Sequence, residues 1–289
     1  MAEVANETHE SARVSRFLVG LARGLAGALL FSIPMLMTME MWFLGFYMDR
    51  ERLLLLLVLN LPLLVGLSHR IGFERTATWR EAARDAIVAY GMGVAASALI
   101  LVLLGVIKLD MAPREWVGMV ALQAVPASIG ALLGRSQLSM QDDDADDEQD
   151  GADPSQEANP GYLTELFMMA VGALFLSLNL APTEEMILLA YKMTIWHALA
   201  LMALSMMLMH GFVYALAFKG SHSLQEDTPV WHAFVRFTIP GYVVALAVSL
   251  YSLWTFGRLD DLGMAEALLT LVVLGFPAAI GAAAARLIL

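Results

Sequence analysis

The sequence predicts an all-α membrane protein of about eight transmembrane helices, arranged as two tandem four-helix repeats with parallel pseudo-twofold symmetry. Three observations predict this fold. Of the 289 residues, 59% are hydrophobic and 16% are charged, whereas soluble domains have roughly 45–50% apolar and 25% charged residues. Several apolar segments are long enough to cross a hydrocarbon layer about 30 Å thick. Similar short blocks also recur in the two halves of the chain.

The predicted spans are separated by short polar connections. They lie at about 17–46, 53–69, 84–107, 115–134, 161–190, 194–218, 231–256 and 264–288. The first and the fifth exceed the roughly 20 residues that one crossing needs. Pro34 and Pro182 lie inside these two segments, and we expect helix breaks there because proline lacks the backbone N–H donor.

Polar segments divide the chain into four predicted parts. These are a polar N-terminal tail at 1–15, a first four-helix half at 16–138, a disordered acidic linker at 139–160 and a second four-helix half at 161–289. Between Asp142 and Glu157 the linker has nine acidic residues and no Lys or Arg, so it cannot bury apolar surface. It is either a solvated connection or a regulatory, cation-attracting segment.

The distribution of basic residues predicts the orientation. If the spans alternate, eleven Lys and Arg residues fall on the side of the N-terminus and six on the other side. Because basic residues collect on the cytoplasmic side of membrane proteins, both termini and the linker are expected in the cytoplasm.

Composition also excludes several classes of function. There is no cysteine, which excludes disulfides and thiolate chemistry. The net charge of −11 and the lack of a basic cluster argue against nucleic-acid binding. No zinc-protease, nucleophile-elbow or phosphate-loop motif occurs. We therefore expect no enzyme, catalytic residue or cofactor, while a metal site stays undetermined.

The internal repeat has two matching blocks. With an offset of 145, seven of the fifteen residue pairs from Gly27–Met41 to Gly172–Met186 are identical. With an offset of 151, Val125–Ala131 matches Phe276–Ala282. Equivalent spans are separated by an even number of crossings, so the two halves are expected to enter the membrane in the same direction.

The run Asn-Leu-Ala-Pro-Thr-Glu-Glu at 179–185 resembles the signature of a family of conserved bacterial integral-membrane proteins of unknown function. The resemblance covers nearly the whole chain apart from the tail and the linker. It implies a multi-pass protein of the bacterial cytoplasmic (inner) membrane and no established activity.

The same run is also similar to cation/proton antiporters, whose repeats hold an Asn, a Pro and an acidic residue in broken helices. Two features depart from that pattern. The first half has Pro34 and Met37 in place of Asn179 and Pro182, and antiporter repeats are inverted rather than parallel.

The best candidates for a functional site are Glu40 and Glu185, which occupy equivalent positions in the two halves. A carboxylate inside a membrane span is costly unless it faces water, an ion or a partner. A broken helix would leave backbone carbonyls beside these carboxylates, and oxygen ligands suit a hard cation. The predicted ion or proton site is completed by Glu184, Asn179, Thr183 and Thr38.

A structural explanation competes with this site. A helix that starts near Phe17 would reach the far membrane surface before Glu40, where a carboxylate at a helix end is unremarkable. His210 has two similar interpretations, either a possible proton relay or a hydrogen-bonding contact between helices.

Three classes of function follow from these patterns. The first is a channel or carrier for a small cation or proton, which uses the paired glutamates at the broken helices. The second is a non-transporting membrane scaffold or sensor, and the third and least supported is a membrane enzyme. The expected partners are the lipid bilayer, a small cation or proton, and further copies of the chain in a homo-oligomer.

Overall fold

The computed structural model describes residues 2–71, 78–108, 110–146, 161–217 and 234–285. Within these ranges the secondary structure consists of ten α-helices and one π-helical turn. The chain divides into two compact units, Met1–Asp153 (unit 1) and Pro154–Leu289 (unit 2). The boundary between the units falls inside the acidic segment 139–160.

Unit 1 contains five helices. They are α1 (Ala2–Leu36), α2 (Met39–Tyr47), α3 (Arg50–Ile71), α4 (Trp79–Leu103) and α5 (Pro113–Asp146). Unit 2 repeats this order of one long, one short and three long helices. Its elements are α6 (Tyr162–Leu180), α7 (Glu185–Lys192), α8 (Ile195–Ala217), a π-helical turn (Phe234–Thr238) that continues into α9 (Ile239–Thr255), and α10 (Met264–Ala285).

The prediction of a polytopic helical membrane protein is confirmed. Seven helices in the described ranges are long and apolar enough to cross a membrane. The pair α7 and α8 gives an eighth if it is one span, although the two helices meet at an angle of 120°. The two overlong predicted segments are each a full-length helix followed by a short one, since α2 has nine residues and α7 has eight.

Local sequence accounts for several helix starts. The Thr78 side chain accepts a hydrogen bond from the Glu81 backbone N–H (3.4 Å), which caps the N-terminus of α4. Pro113 begins α5 and Pro240 lies in the first turn of α9, where the missing N–H costs nothing.

The last helix of each unit is the one on which the others pack. In unit 1, α5 contacts α1, α2, α3 and α4, and in unit 2, α10 contacts α6, α7, α8 and α9. Burial agrees with this central position for α5, because 89% of its Pro113–Gly134 window is buried.

Glycines from the two repeat blocks meet at a close helix contact in each unit. In unit 1, a Cβ placed on Gly27 of α1 would lie 2.6 Å from the Gly134 Cα of α5 and would also overlap the Gly130 carbonyl oxygen. In unit 2, a Cβ placed on Gly172 of α6 would lie 2.8 Å from the Gly281 carbonyl carbon of α10. Only glycine permits this approach of two backbones.

The third long helix of each unit also ends in the same way. Gly105 after α4 and Gly257 after α9 both have φ of 69°, a left-handed conformation that glycine adopts without strain. The residue after each glycine donates its N–H to a carbonyl five residues back, Val106 to Leu101 and Arg258 to Leu253. This is a Schellman cap.

Two predicted segments differ from the observed helices. α1 begins at Ala2 and so includes the polar tail, and α5 continues to Asp146, which covers the first part of the predicted disordered linker. A helix that is already formed extends with one further hydrogen bond for each residue fixed, so polar residues can continue it. Residues 147–160 lie outside the described ranges.

The glycine contacts predict a selective loss of stability. Gly27→Ala and Gly172→Ala should each destabilise the protein by about 1–3 kcal/mol, because overpacking forces the helices apart. Thermal unfolding of purified protein in detergent measures this effect. Gly91→Ala is the matched control, since nothing lies within 4 Å of its added Cβ. Equal unfolding temperatures for all three variants would contradict the close-contact explanation.

Candidate functional site: the helix break of unit 2

The break between α6 and α7 is built around Pro182. α6 ends at Leu180 and α7 begins at Glu185. Pro182 has no N–H to donate. Ala181 keeps helical φ and ψ of −56° and −33° and still donates its N–H to the Ser177 carbonyl oxygen, so the helical hydrogen bonds stop at Pro182. Thr183 closes the turn, because both its backbone N–H (3.0 Å) and its Oγ1 hydroxyl (2.8 Å) donate to the Leu180 carbonyl oxygen.

Arg258, which follows α9 in the sequence, contacts this helix break. Its Nη2 donates to the Pro182 carbonyl oxygen, and its Nη1 lies 3.6 Å from Glu184 Oε1. The Arg258 side chain is 12% exposed, whereas that of Glu184 is 84% exposed. A nearly buried guanidinium therefore contacts a carboxylate that stays in solvent.

An open pocket of about 430 Å³ lies beside this ion pair. Its lining residues are Glu184, Glu185, Ile187, Leu188, Tyr191 and Arg258. Both glutamates are exposed, so the pocket has two solvated carboxylates, one guanidinium and an apolar wall from α7. In the described part of the chain, no three His, Asp or Glu side chains are grouped to hold a metal ion.

The corresponding break in unit 1 is closed by the equivalent threonine and by two further donors. The Met35 carbonyl oxygen accepts hydrogen bonds from Thr38 Oγ1 (2.8 Å) and from Gln123 Nε2 (3.1 Å). The Leu36 carbonyl oxygen accepts one from Trp42 Nε1 (2.7 Å). The sequence suggested free carbonyls at the breaks, but the carbonyls of both breaks already accept hydrogen bonds from protein donors.

The remaining predicted site residues take different positions. Pro34 lies inside α1, two residues before its end, and Glu40 lies half-buried in the first turn of α2. Asn179 donates from Nδ2 to the Phe175 carbonyl oxygen one turn back in α6 (2.8 Å). Glu40 and Glu185 belong to different units, so their pairing across a common axis stays a prediction.

Both acidic helix starts follow a full-length span. The apolar windows Val19–Leu36 and Tyr162–Leu180 have 18 and 19 residues, which corresponds to about 27 and 28 Å of helix. This length matches a hydrocarbon layer of about 30 Å. Helix length therefore places Glu40 and Glu185 at the end of a crossing. This favours a location of both carboxylates near a membrane surface over one in the middle of the bilayer.

His210, the candidate proton relay, lies in α8 and not at the helix break. Its Nδ1 is 3.0 Å from Thr238 Oγ1, and its ring meets Phe234 edge-on with centroids 5.4 Å apart. Thr238 is fully buried. The histidine thus joins α8 to the π-helical turn that precedes α9, and π-helical turns occur often at functional sites.

Arg258 and Trp42 are the site residues that the sequence did not reveal. Arg258 follows Gly257 directly, and a basic residue after a helix C-terminus is favoured by the helix dipole. That signal explains its presence but does not identify its partners, which lie 76 residues away in sequence. Trp42 looks like an interfacial aromatic residue, and only its contact shows that it caps a helix end.

Fold and site together define a polytopic α-helical membrane protein with a charged pocket at a broken helix. The profile of the DUF2391 family of integral membrane proteins matches residues 20–289, and the chain belongs to this family. The resemblance found in the sequence is therefore confirmed. No curated protein and no solved structure matches the chain.

Arg258 and Glu184 are expected to differ in how much each contributes to the stability of the protein. Glu184→Gln should cost at most about 1 kcal/mol, because exposed ion pairs contribute little. Arg258→Gln should cost about 1–3 kcal/mol, because it removes a donor from the buried Pro182 carbonyl. Hydrogen exchange of residues 181–192 and thermal unfolding measure both effects. Lys192→Gln on the same short helix is the control, and a larger effect for Glu184→Gln than for Arg258→Gln would refute this ranking.

Proposed function

We propose that this chain transports a small cation, the proton included, and that its acidic site is the pocket at the unit 2 break. The observation that carries the proposal is the combination of Glu184 and Glu185 on an open pocket with Arg258 as a resident cation. Two solvated carboxylates attract a cation to the end of a membrane span. The Arg258 guanidinium already neutralises part of their negative charge.

The ion pair between Arg258 and Glu184 is weak enough for a cation to replace Arg258. An ion pair with an exposed carboxylate contributes about 1 kcal/mol or less, so a cation or proton can displace Arg258 from Glu184 at little cost. The guanidinium keeps its hydrogen bond to the Pro182 carbonyl oxygen. Arg258 can therefore release the carboxylate without leaving the helix break.

Duplication of the chain extends the proposal to unit 1. Support comes from the common order of helices, the glycine contacts and the two Schellman caps. In this proposal the units are related by a pseudo-twofold axis along the membrane normal, and Glu40 and Glu185 are equivalent groups. The resemblance in sequence supports a bacterial inner-membrane location, and the distribution of basic residues supports placing both termini in the cytoplasm.

A non-transporting scaffold or sensor is the second candidate. It is favoured by the donors that occupy the carbonyls at both breaks, Thr38, Gln123 and Trp42 in unit 1 and Thr183 and Arg258 in unit 2. Under this alternative the glutamates only stabilise the N-termini of α2 and α7.

Ion flux into proteoliposomes distinguishes the two candidates. The unaltered protein should carry protons or a monovalent cation, and Glu184→Gln and Glu185→Gln should each lower the flux by about tenfold, which corresponds to about 1.4 kcal/mol. Glu40→Gln should lower it as well if the units are equivalent. Glu51→Gln is the matched control, because Glu51 is an exposed acid in the first turn of α3 and outside the pocket.

Two results would count against the transport proposal. Unchanged flux in all the glutamate variants would remove the pocket from the mechanism. No flux of any tested ion by correctly folded, unaltered protein would favour the scaffold.

A further inference from the structure

The buried face of α9 has a row of hydroxyl groups. Thr238, Tyr242, Ser249 and Ser252 are each at most 4% exposed. At about 100° per residue they fall within an arc of about 80° on one side of the helix. Serine and threonine are common where membrane helices pack together, and there they usually form hydrogen bonds to a neighbouring helix.

One of these hydroxyls has no hydrogen-bond partner. Ser249 Oγ is buried without one, whereas the Tyr242 hydroxyl lies beside the Ser205 side chain. Ser252 instead donates to the Val248 carbonyl oxygen (2.9 Å), which is how a buried serine in a helix is usually satisfied. A buried hydroxyl without a partner costs about 1–3 kcal/mol, and in proteins such groups are commonly satisfied by internal water.

Polar groups lie at both ends of this row. At one end His210 Nδ1 is 3.0 Å from Thr238 Oγ1. At the other end Arg258 follows α9, and its Nε is buried without a partner while its guanidinium reaches the acidic pocket. The row from Thr238 to Ser252 extends about 21 Å along the helix, about two thirds of the thickness of the hydrocarbon layer.

Unit 1 has no such row on its corresponding helix. The buried residues of α4 are Ala82, Ala86, Ala89, Met92, Gly93, Ala96, Ser97 and Leu101. Ser97 alone among them has a hydroxyl group. The polar face is therefore a property of unit 2, the same unit that has Arg258 and the pocket.

We infer that water occupies the buried face of α9 and conducts protons between His210 and the Arg258 pocket. This inference rests on the proposed transport function and names the proton as the transported species. Each hydroxyl or water accepts one proton and donates another to its neighbour, so no covalent bond to carbon changes. Ala245 is the apolar interruption of the row, between Tyr242 and Ser249, and water has to bridge it.

The absence of cysteine from the sequence makes hydration directly testable. Single-cysteine variants in proteoliposomes are treated with Ag⁺, which has about the size of a water molecule, then denatured and labelled with a fluorescent maleimide. Ser249→Cys should react with Ag⁺ at least about tenfold faster than two controls. Leu274→Cys is a buried apolar control at 0% exposure, and Leu250→Cys is an outward-facing control at 48% exposure.

Proton flux supplies the second measurement on the same preparations. Ser249→Val and Tyr242→Phe should each lower proton flux by at least about tenfold, while leaving the unfolding temperature near that of the unaltered protein. Leu250→Val is the matched control on the outward face of α9.

The outcomes separate the inference from the proposed function. Ser249→Cys as unreactive as Leu274→Cys would overturn the inference, whatever ion flux is found. Flux of another cation without proton flux would overturn the inference and leave the transport proposal standing. The absence of any flux would overturn both. A reactive Ser249→Cys together with reduced proton flux in Ser249→Val and Tyr242→Phe supports both.

Discussion

Hydrocarbon offers no hydrogen bonds, so every backbone polar group that the bilayer covers has to find its partner within the protein. Long helices meet this constraint by themselves, but the two helix breaks do not. In unit 1 the helix-end carbonyls of Met35 and Leu36 are capped by Thr38, Gln123 and Trp42. In unit 2 the break is capped by Thr183 and Arg258. The positions of the candidate site residues follow from these caps.

A second constraint acts on helix packing. Lipid tails are as apolar as leucine side chains, so helices in a bilayer associate through close van der Waals contact rather than through the hydrophobic effect. The contacts of Gly27 with Gly130 and of Gly172 with Gly281 provide this closeness in the two units. The two sequence blocks that repeat are thus the two surfaces that touch, which gives a physical reason for their similarity.

The two units differ in the side chain that follows the Schellman cap of the third long helix. Val106 and Arg258 both follow a Schellman cap and donate their N–H in the same way. Val106 packs against an apolar cluster that includes Leu36, whereas Arg258 contacts Glu184 and the Pro182 carbonyl oxygen. Both breaks share a threonine donor. Unit 1 adds an amide and an indole, and unit 2 adds a guanidinium beside a pocket. Unit 2 is therefore the unit in which a cation could compete for a ligand.

The sequence by itself determined the membrane class, the approximate spans and the break at Pro182. These features depend on local composition and on the missing N–H of proline, and both can be read from neighbouring residues. It also singled out Glu184 and Glu185, because acidic residues after a proline mark a helix start.

Only the tertiary structure decided which groups meet at the break. Arg258 and Pro182 are 76 residues apart, and Gln123 and Met35 are 88 apart, so no local pattern joins them. The unpartnered hydroxyl of Ser249 likewise becomes significant only when burial is known. Long-range partners depend on how helices rotate and approach one another, and in a bilayer that is fixed by packing between helices rather than by hydrophobic periodicity.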